Sequence, residues 1–418
     1  MNGARIIHTS TKDPWWNLAV EEFLLTRVEP GQCILYLWQN QNTVVIGRNQ
    51  NPWRECRTEL LESEGGKLAR RLSGGGAVFH DLGNLNFTFI ADKKEYNQEK
   101  QLETILNAVK ALGIEAEKSG RNDLTADGRK FSGNAFYIRG DRAYHHGTIL
   151  VSADFEKLAR YLQVSEDKMK SKGIKSVQSR VVNLTELMPG LTVETTAQAL
   201  ISSFRSIYGC TVPVEYSISD RLENREAIEE LYSRYSSWEW RYGETTGFDV
   251  ELENRFIWGG VQIGLKIENG IISEAKVFSD AMEEAYIEAL PGIFEGCPYD
   301  SGQLARRLTD AAGTIPKEGA GAVSEAGEAV CVSGGSATGS ISDLGAGYIS
   351  EAESAGFVSN VGAGHISGAE SAGLISDVGA VLTAGCISAD SCRRMTLDLA
   401  EWLANRNFNC GKTAGKVI

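Results

Sequence analysis

From Gly319 to Cys392 the chain carries eight acidic residues, no Lys or Arg and no Pro, and it repeats a Gly-x-(Ile/Val)-Ser pattern. The pattern starts at Gly339, Gly347, Gly356, Gly364, Gly373 and Gly385, and the stretches Ile341–Phe357 and Val358–Leu374 make a 17-residue unit identical at most positions. Tyr348 and Phe357 are its only aromatic residues. So little apolar surface cannot offset the entropy of ordering the backbone, so the segment reads as a low-complexity insertion, with a small stacked solenoid as the alternative. Whatever core the 418 residues build must therefore come from the chain before the repeat and the short tail after it. At about 150 residues per domain, two or three units are expected.

The repeat also supplies most of the formal net charge of −13. An acidic balance argues against binding nucleic acid by phosphate neutralisation. Eight scattered cysteines without a C-x-x-C pair read as reduced thiols, neither a disulfide framework nor a zinc site. The sequence holds no apolar run of about 18 residues and no basic-then-apolar leader, so the expectation is a cytoplasmic protein that does not enter a membrane.

Ahead of the repeat, strand and helix signals alternate. Asp13-Pro14 starts a helix as N-cap and first helical residue, and Leu18, Glu21, Glu22 and Leu25 follow at helical spacing. Ile34–Trp38 and Thr43–Ile46 read as short strands. Leu102, Ile105, Leu106 and Val109 form one apolar helix face, and Ala197, Leu200, Ile201 and Phe204 another that Gly209 closes. Tight turns at Asp127-Gly128 and Gly140-Asp141 between short strands predict a mainly antiparallel sheet with helices packed on it, an α+β domain. A second, smaller α+β unit begins near Phe248. There Val261, Ile263, Leu265 and Ile267 alternate, Asn269-Gly270 favours a type I′ hairpin turn, and Ile271–Phe278 returns. Helices are expected around Leu290, over Ser301–Leu308 and over Met395–Leu403. The expected division is a first domain over 1–247, an accessory domain from 248–316 and 393–418, and the insertion over 317–392.

Generic phosphate-loop, dinucleotide, zinc-protease and calcium-loop patterns are absent. Two other segments stand out. In Arg70-Arg71-Leu72-Ser73-Gly74-Gly75-Gly76-Ala77-Val78-Phe79-His80, three glycines leave backbone amides open to an anion, beside arginines able to offer a planar charged fork. In the other, Gly120-Arg121-Asn122-Asp123 precedes Arg129-Lys130-Phe131-Ser132-Gly133-Asn134-Ala135 and then His145-His146-Gly147-Thr148. Strict alternation puts Lys130, Ser132 and Asn134 on one strand face and Phe131, Gly133, Ala135 and Tyr137 on the other. By the same rule one of the paired histidines packs while the other faces solvent.

The patterns R-R-x-S-G-G-G-A-V-x-H-D-x-G-N and G-R-N-D…K-x-S-G-x-A…H-H-G-T resemble those of the lipoate–protein ligase A family. Pro14–Glu22, Ser179–Leu184, Ser237–Trp240 and Leu399–Trp402 also resemble family segments, in order, while the repeat departs from the family pattern. The resemblance implies a catalytic fold of the lipoate/biotin ligase type with an accessory domain that the repeat interrupts. It implies ATP and lipoate as substrates, with Mg²⁺: lipoyl-AMP forms with release of pyrophosphate, and the lipoyl group passes to a carrier lysine. The implied carriers are lipoyl domains of 2-oxoacid dehydrogenase complexes and the glycine cleavage H protein. Lys130 matches the family's essential lysine, touching both lipoate and ATP. Arg71, Gly76, Ala77, Val78 and Phe79 would hold ATP; Arg71, Ser73 and His80 would join Lys130 at lipoate. Asp123 is a candidate metal ligand. Leu18, Val45 and Val78 are expected to line a slot for the apolar tail. His80 and His146 are candidate bases for the transfer step, with packing roles as the alternative. Other readings are an ATP-independent octanoyl or lipoyl transferase of related fold and a catalytically inactive binding protein.

Overall fold

The computed structural model describes residues 3–120, 122–163, 181–217, 222–243, 247–315, 382 and 388–406. Nearly all of the repeat, with both readings of it, lies outside the described residues, as do Arg121, Ser179 and Arg180 of the motif segments.

The main sheet contains β1 (Gly3–His8), β2 (Gln32–Trp38), β6 (Asn84–Asp92), β7 (Glu117–Ser119), β8 (Asp123–Ala126), β9 (Arg129–Arg139), β10 (Arg142–Leu150) and β11 (Val214–Glu215). Their order is β11-β1-β2-β6-β10-β9-β8-β7. Pairing is antiparallel from β2 to β7 and parallel at β11–β1 and β1–β2, so the mainly antiparallel expectation gains a parallel edge. A small second sheet, β4-β3-β5, joins β3 (Thr43–Ile46), β4 (Lys67–Arg70) and β5 (Val78–His80).

Alternation along β2 sorts its side chains into two cores. Cys33, Leu35 and Leu37 pack with Leu102, Ile105 and Val109 of α2 (Gln98–Ala111) and with Leu200, Ile201 and Phe204 of α3 (Val193–Tyr208). Ile34, Tyr36 and Trp38 face α1 (Pro14–Arg27), with Leu18 and Phe23, and α4 (Leu222–Ser236), with Ile228 and Tyr235. Local chemistry sets these boundaries. The Asp13 side chain accepts from the Trp15 amide with Pro14 in the first turn, and Gly209 ends α3 in the left-handed region at φ 61°. Asp127-Gly128 (φ 51° and 68°) turns β8 into β9.

The accessory unit is a meander of β12 (Val250–Phe256), β13 (Gly259–Glu268) and β14 (Ile271–Ser279), turned at Asn269-Gly270 with φ of 53° and 79°. Its helices are α5 (Glu284–Phe294), α6 (Ser301–Thr314) and α7 (Ala389–Ala404). α7 starts upstream of the expected Met395, inside the stretch assigned to the insertion, because Ser388 caps it on the Ser391 amide and buried Cys392 faces the core. One apolar cluster joins Ile263, Leu265 and Leu290 to Leu304 and Leu308 of α6 and to Met395 and Leu399 of α7. Both sides of the repeat thus enter a single core. Cys33, Cys56, Cys210 and Cys297 are free thiols; against the expectation, Cys392 is disulfide-bonded. Among the described residues no helix is long and apolar enough to cross a membrane.

Candidate active site

A cleft with about 710 Å³ of empty space lies where the main sheet, the small sheet and the accessory unit meet. The segment between β4 and β5 forms one wall. Arg70 donates to the carbonyls of Gly47, Arg48, Gln50, Trp240 and Arg241, and burial pushes its pKa down to about 9. Arg71 is 5% exposed. It donates from Nε to Ser73 Oγ (3.0 Å) and from its Nη atoms to the carbonyls of Val45 (3.3 Å), Gly74 (2.6 Å) and Gly76 (2.9 Å). Burial pushes its pKa to about 10, so the charge survives at neutral pH. Much of the fork expected to meet a phosphate is directed at the loop's own carbonyls. The arginines build the loop, and Arg71 also lines the cleft.

Two glycines in this wall are sterically required. A Cβ on Gly47 would lie 2.2 Å from the Gly75 carbonyl, and one on Gly74 would lie 2.4 Å from the Ala281 carbonyl of the accessory unit. Gly75, at φ 88°, donates its amide to that same Ala281 oxygen (2.9 Å). Glu284, at the start of α5, is buried beside the Gly74 amide, and desolvation pushes its carboxyl up to about 8. Gly76 faces open space, and with Ala77 and Val78 it lines the cleft. Phe79 does not line it; its side chain packs with Val44, Ile46 and Tyr161.

Lys130 reaches the cleft through a β-bulge. The β8–β9 register runs Leu124↔Ser132 and then Thr125↔Lys130, which leaves Phe131 as the extra residue. Phe131 enters the α2–α3 core, while Gly133 and Ala135 line the cleft beside Lys130. Strict alternation grouped Lys130 with Ser132 and Asn134; the bulge breaks that alternation and brings Lys130 beside Gly133, while Asn134 also lines the cleft and Ser132 does not. A Cβ on Gly133 would meet Lys130 Nζ at 2.9 Å, so the glycine makes room for the ammonium to fold across the strand. Nζ pairs with Asp123 Oδ1 at 2.7 Å, both side chains 37% exposed. Asp123 thus sits on the lysine, and among the described residues no group of three His, Cys, Asp or Glu could hold a metal by itself.

The paired histidines do point to opposite faces, but both are buried. His145 lies among Phe87, Phe89 and Phe136, bonded to Gln101 (3.2 Å) and Asn134 (2.8 Å), and burial pushes its pKa down to about 3. His146 joins a chain. Arg71 Nε–H donates to Ser73 Oγ, whose hydroxyl donates to His146 Nε2 (2.8 Å); His146 Nδ1–H donates to Glu21 Oε1 (2.9 Å). Thr88 donates to the same Glu21 oxygen (2.7 Å), and Trp38 Nε1 donates to Thr88 (3.1 Å). A buried carboxylate and a buried guanidinium are so joined through Ser73 and His146. Ser73 is fully buried and does not line the cleft, whereas His80 does.

Leu18, Val45 and Val78 line the cleft together with Trp38. Sequence reading passed over Glu21's link to His146, Gly47, Met282 and Asn86. For Asn86 a signal existed: Asn84, Asn86 and Thr88 alternate with Leu85, Phe87 and Phe89, a polar row on a strand buried along nearly its whole length.

Residues 13–205 match the family described as lipoyl protein ligase A/B catalytic domain, and residues 245–318 match bacterial lipoate protein ligase C-terminus. The P. falciparum LipL1 structure in complex with lipoate is 31% identical, with a TM-score of 0.65, over 73% of this chain and 94% of that one. A structure from an archaeal lipoylation system, described as a bi-partite lipoate protein ligase and its E2 lipoyl domain from Thermoplasma acidophilum, is 26% identical over 60% of this chain and 100% of that one, with a TM-score of 0.53.

Proposed function

Since the chain belongs to the lipoate–protein ligase family, we propose that it is an ATP-dependent lipoate–protein ligase. In this reading the lipoate carboxylate attacks the α-phosphate of ATP, pyrophosphate leaves, and lipoyl-AMP passes its acyl group to a lysine of a lipoyl carrier domain. Two anions must touch, so positive groups have to be fixed where they meet. The observation that carries the reading is Lys130: its ammonium sits at the cleft, folded over Gly133 and balanced by the single carboxylate of Asp123. It can exchange that partner for the reacting carboxylate and phosphate. A compact ammonium suits such a bridge better than a guanidinium.

Arg71 holds the loop in shape and places a permanent charge behind it, while Gly76, Ala77 and Val78 present backbone to the nucleotide; Phe79 contributes only its main chain. Leu18, Val45 and Val78 take the apolar tail, with His80 beyond them and Ser73 acting through Arg71 and His146. Mg²⁺ accompanies ATP, and Asp123 with the nucleotide's own phosphates is a donor set of the kind that ion accepts. The partners are lipoyl domains of 2-oxoacid dehydrogenase complexes and the glycine cleavage H protein, in the cytoplasm. A thiol-dependent transferase needs a cysteine nucleophile at the site, and among the described residues no cysteine lines the cleft.

The deciding experiment is lipoate-dependent exchange of pyrophosphate into ATP. Exchange is the expected result; its absence in folded, full-length protein removes the ligase reading.

A further inference from the structure

The accessory unit meets the first domain along a seam that no apolar cluster crosses. Among the described residues its core begins at Val250, and the three cores of the first domain end by Tyr242. Polar contacts hold the seam instead. Gly75 N–H donates to the Ala281 carbonyl (2.9 Å), and Ser279 N–H donates to the Asn49 carbonyl (2.8 Å). Asn49 Nδ2 donates to the Glu284 carbonyl (2.8 Å), and Arg48 and Arg54 pair with Glu288 and Glu253. Units joined without a shared apolar core are expected to move against each other.

One carboxyl is enclosed in this seam. Glu284, the first residue of α5, is 5% exposed and makes no ion pair among the described residues. It accepts from the Gly74 amide, and the charges that bear on it most, Glu283 and Glu288, have its own sign. The cations facing it are engaged elsewhere: Arg71 by loop carbonyls, Arg48 by Glu288 and Arg234 by Glu22. From β9, Arg139 is exposed and burial pushes the Tyr137 phenol further above its ordinary value. Glu284 lines a cavity along the seam with these β9 residues, Arg48 and Arg234 (about 1050 Å³ of empty space), and through it the carboxyl exchanges its proton with solvent. A buried carboxyl without a cation is more stable neutral than charged, and separation of the units returns it to water. Desolvation holds it at about 8 in the seated position, against 4.5 for the ordinary side chain. Seating therefore takes up a proton. Its contribution is complete below 4.5 and is lost progressively as the pH rises toward 8.

We propose that Glu284 is a proton-operated latch: neutral, it seats the accessory unit on the glycine loop, and ionised, it lets the unit lift away. Lifting carries off Met282, which lines the cleft, and releases the Gly74 and Gly75 amides from Glu284 and Ala281. The cleft then widens on its accessory side, and the loop loses contacts that fix its shape. The latch goes beyond the ligase reading and does not depend on it, because the seam itself is what is measured.

Hydrogen exchange in the full-length protein tests it, read at the two amides that bond across the seam, Gly75 and Ser279. After correction for intrinsic exchange, their protection is expected to fall together by about tenfold per pH unit between about 5.5 and 7.5, while amides of β6 and β13 keep theirs. Glu284→Gln, an uncharged isostere, is expected to hold protection level across that range. Arg48→Ala, which removes an ion pair across the seam, is expected to lower protection at every pH and leave the slope unchanged. Protection at Gly75 and Ser279 that is independent of pH in the unmodified protein overturns the proposal, with no variant needed to fold. A slope shared equally by β6 and β13 reports global unfolding and overturns it too, as does a slope that persists in Glu284→Gln. Pyrophosphate exchange enters none of these readings, so a failure of the ligase reading leaves them unaffected.

Discussion

Lys130 and Arg71 carry the same charge under opposite constraints. The arginine is enclosed, with three bonds to its own loop and one to Val45 of β3, and it cannot leave without dismantling the wall. The lysine is partly solvated and held by one carboxylate, a contact worth at most about 1 kcal/mol. Lys130→Met is therefore expected to lower pyrophosphate exchange by about 100-fold or more, with a urea midpoint close to that of the unmodified protein. A large stability loss would instead make Lys130 structural. His145 gives a residue-scale test of another kind. Its pKa is about 3 in the folded protein against 6.5 for the ordinary side chain. Between those values the unfolded chain holds the extra proton, so stability present above pH 6.5 is lost as the pH falls toward 3. His80 adds to the same slope. His145→Gln should flatten the dependence of unfolding free energy on pH between about 6.5 and 5, a window in which the raised Glu284 carboxyl adds a slope of opposite sign that the substitution leaves in place. An unchanged slope would mean that the ring is protonated in place.

At the scale of elements, one extra residue decides the outcome. The Phe131 bulge turns Lys130 from the α2–α3 side of the sheet to the cleft side. Gly133→Ala would place a Cβ 2.9 Å from Nζ and 3.0 Å from Cε. The flexible lysine end can move aside, so the expected effect is a stability change below about 1 kcal/mol with a marked fall in kcat/KM; normal turnover would show that the ammonium's position is not critical. Much around this point was legible in the chain. Asp13-Pro14, Asp127-Gly128, Gly209 and Asn269-Gly270 each act over a few residues, so their chemistry can be read locally. The glycine loop, the lysine and the lining residues Leu18, Val45 and Val78 were legible for a similar reason, as motif residues or simple apolar positions. The bulge was not, because it exists only in the pairing of β9 with β8. Nor was the path from Arg71 through Ser73 and His146 to Glu21, which joins three segments distant in sequence.

Across the whole molecule, two units share one site. The accessory unit backs onto the glycine loop through Ala281 and contributes Met282 to the cleft, and its Glu288 pairs with Arg48 of the first domain (2.5 Å). Its own core requires helices from both sides of the repeat. Replacing residues 316–381 with a Gly/Ser linker of about 15 residues, able to span up to about 50 Å and leaving the buried core residue Leu382 in place, is expected to leave thermal stability and pyrophosphate exchange unchanged. Ending the chain at residue 315 removes Met395, Leu399 and Leu403 from the core and is expected to unfold the accessory unit, seen as lost circular dichroism and tryptophan fluorescence. Loss of fold in the linker variant would place the repeat in the core after all. The mutual grip of α6 and α7 has a hereditary corollary. Tandem copies lengthen and shorten readily when genes are copied, and here such slippage falls between two anchors that do not need the intervening text. Lineages carrying this gene should therefore differ in their number of 17-residue units while the helices on either side stay in frame.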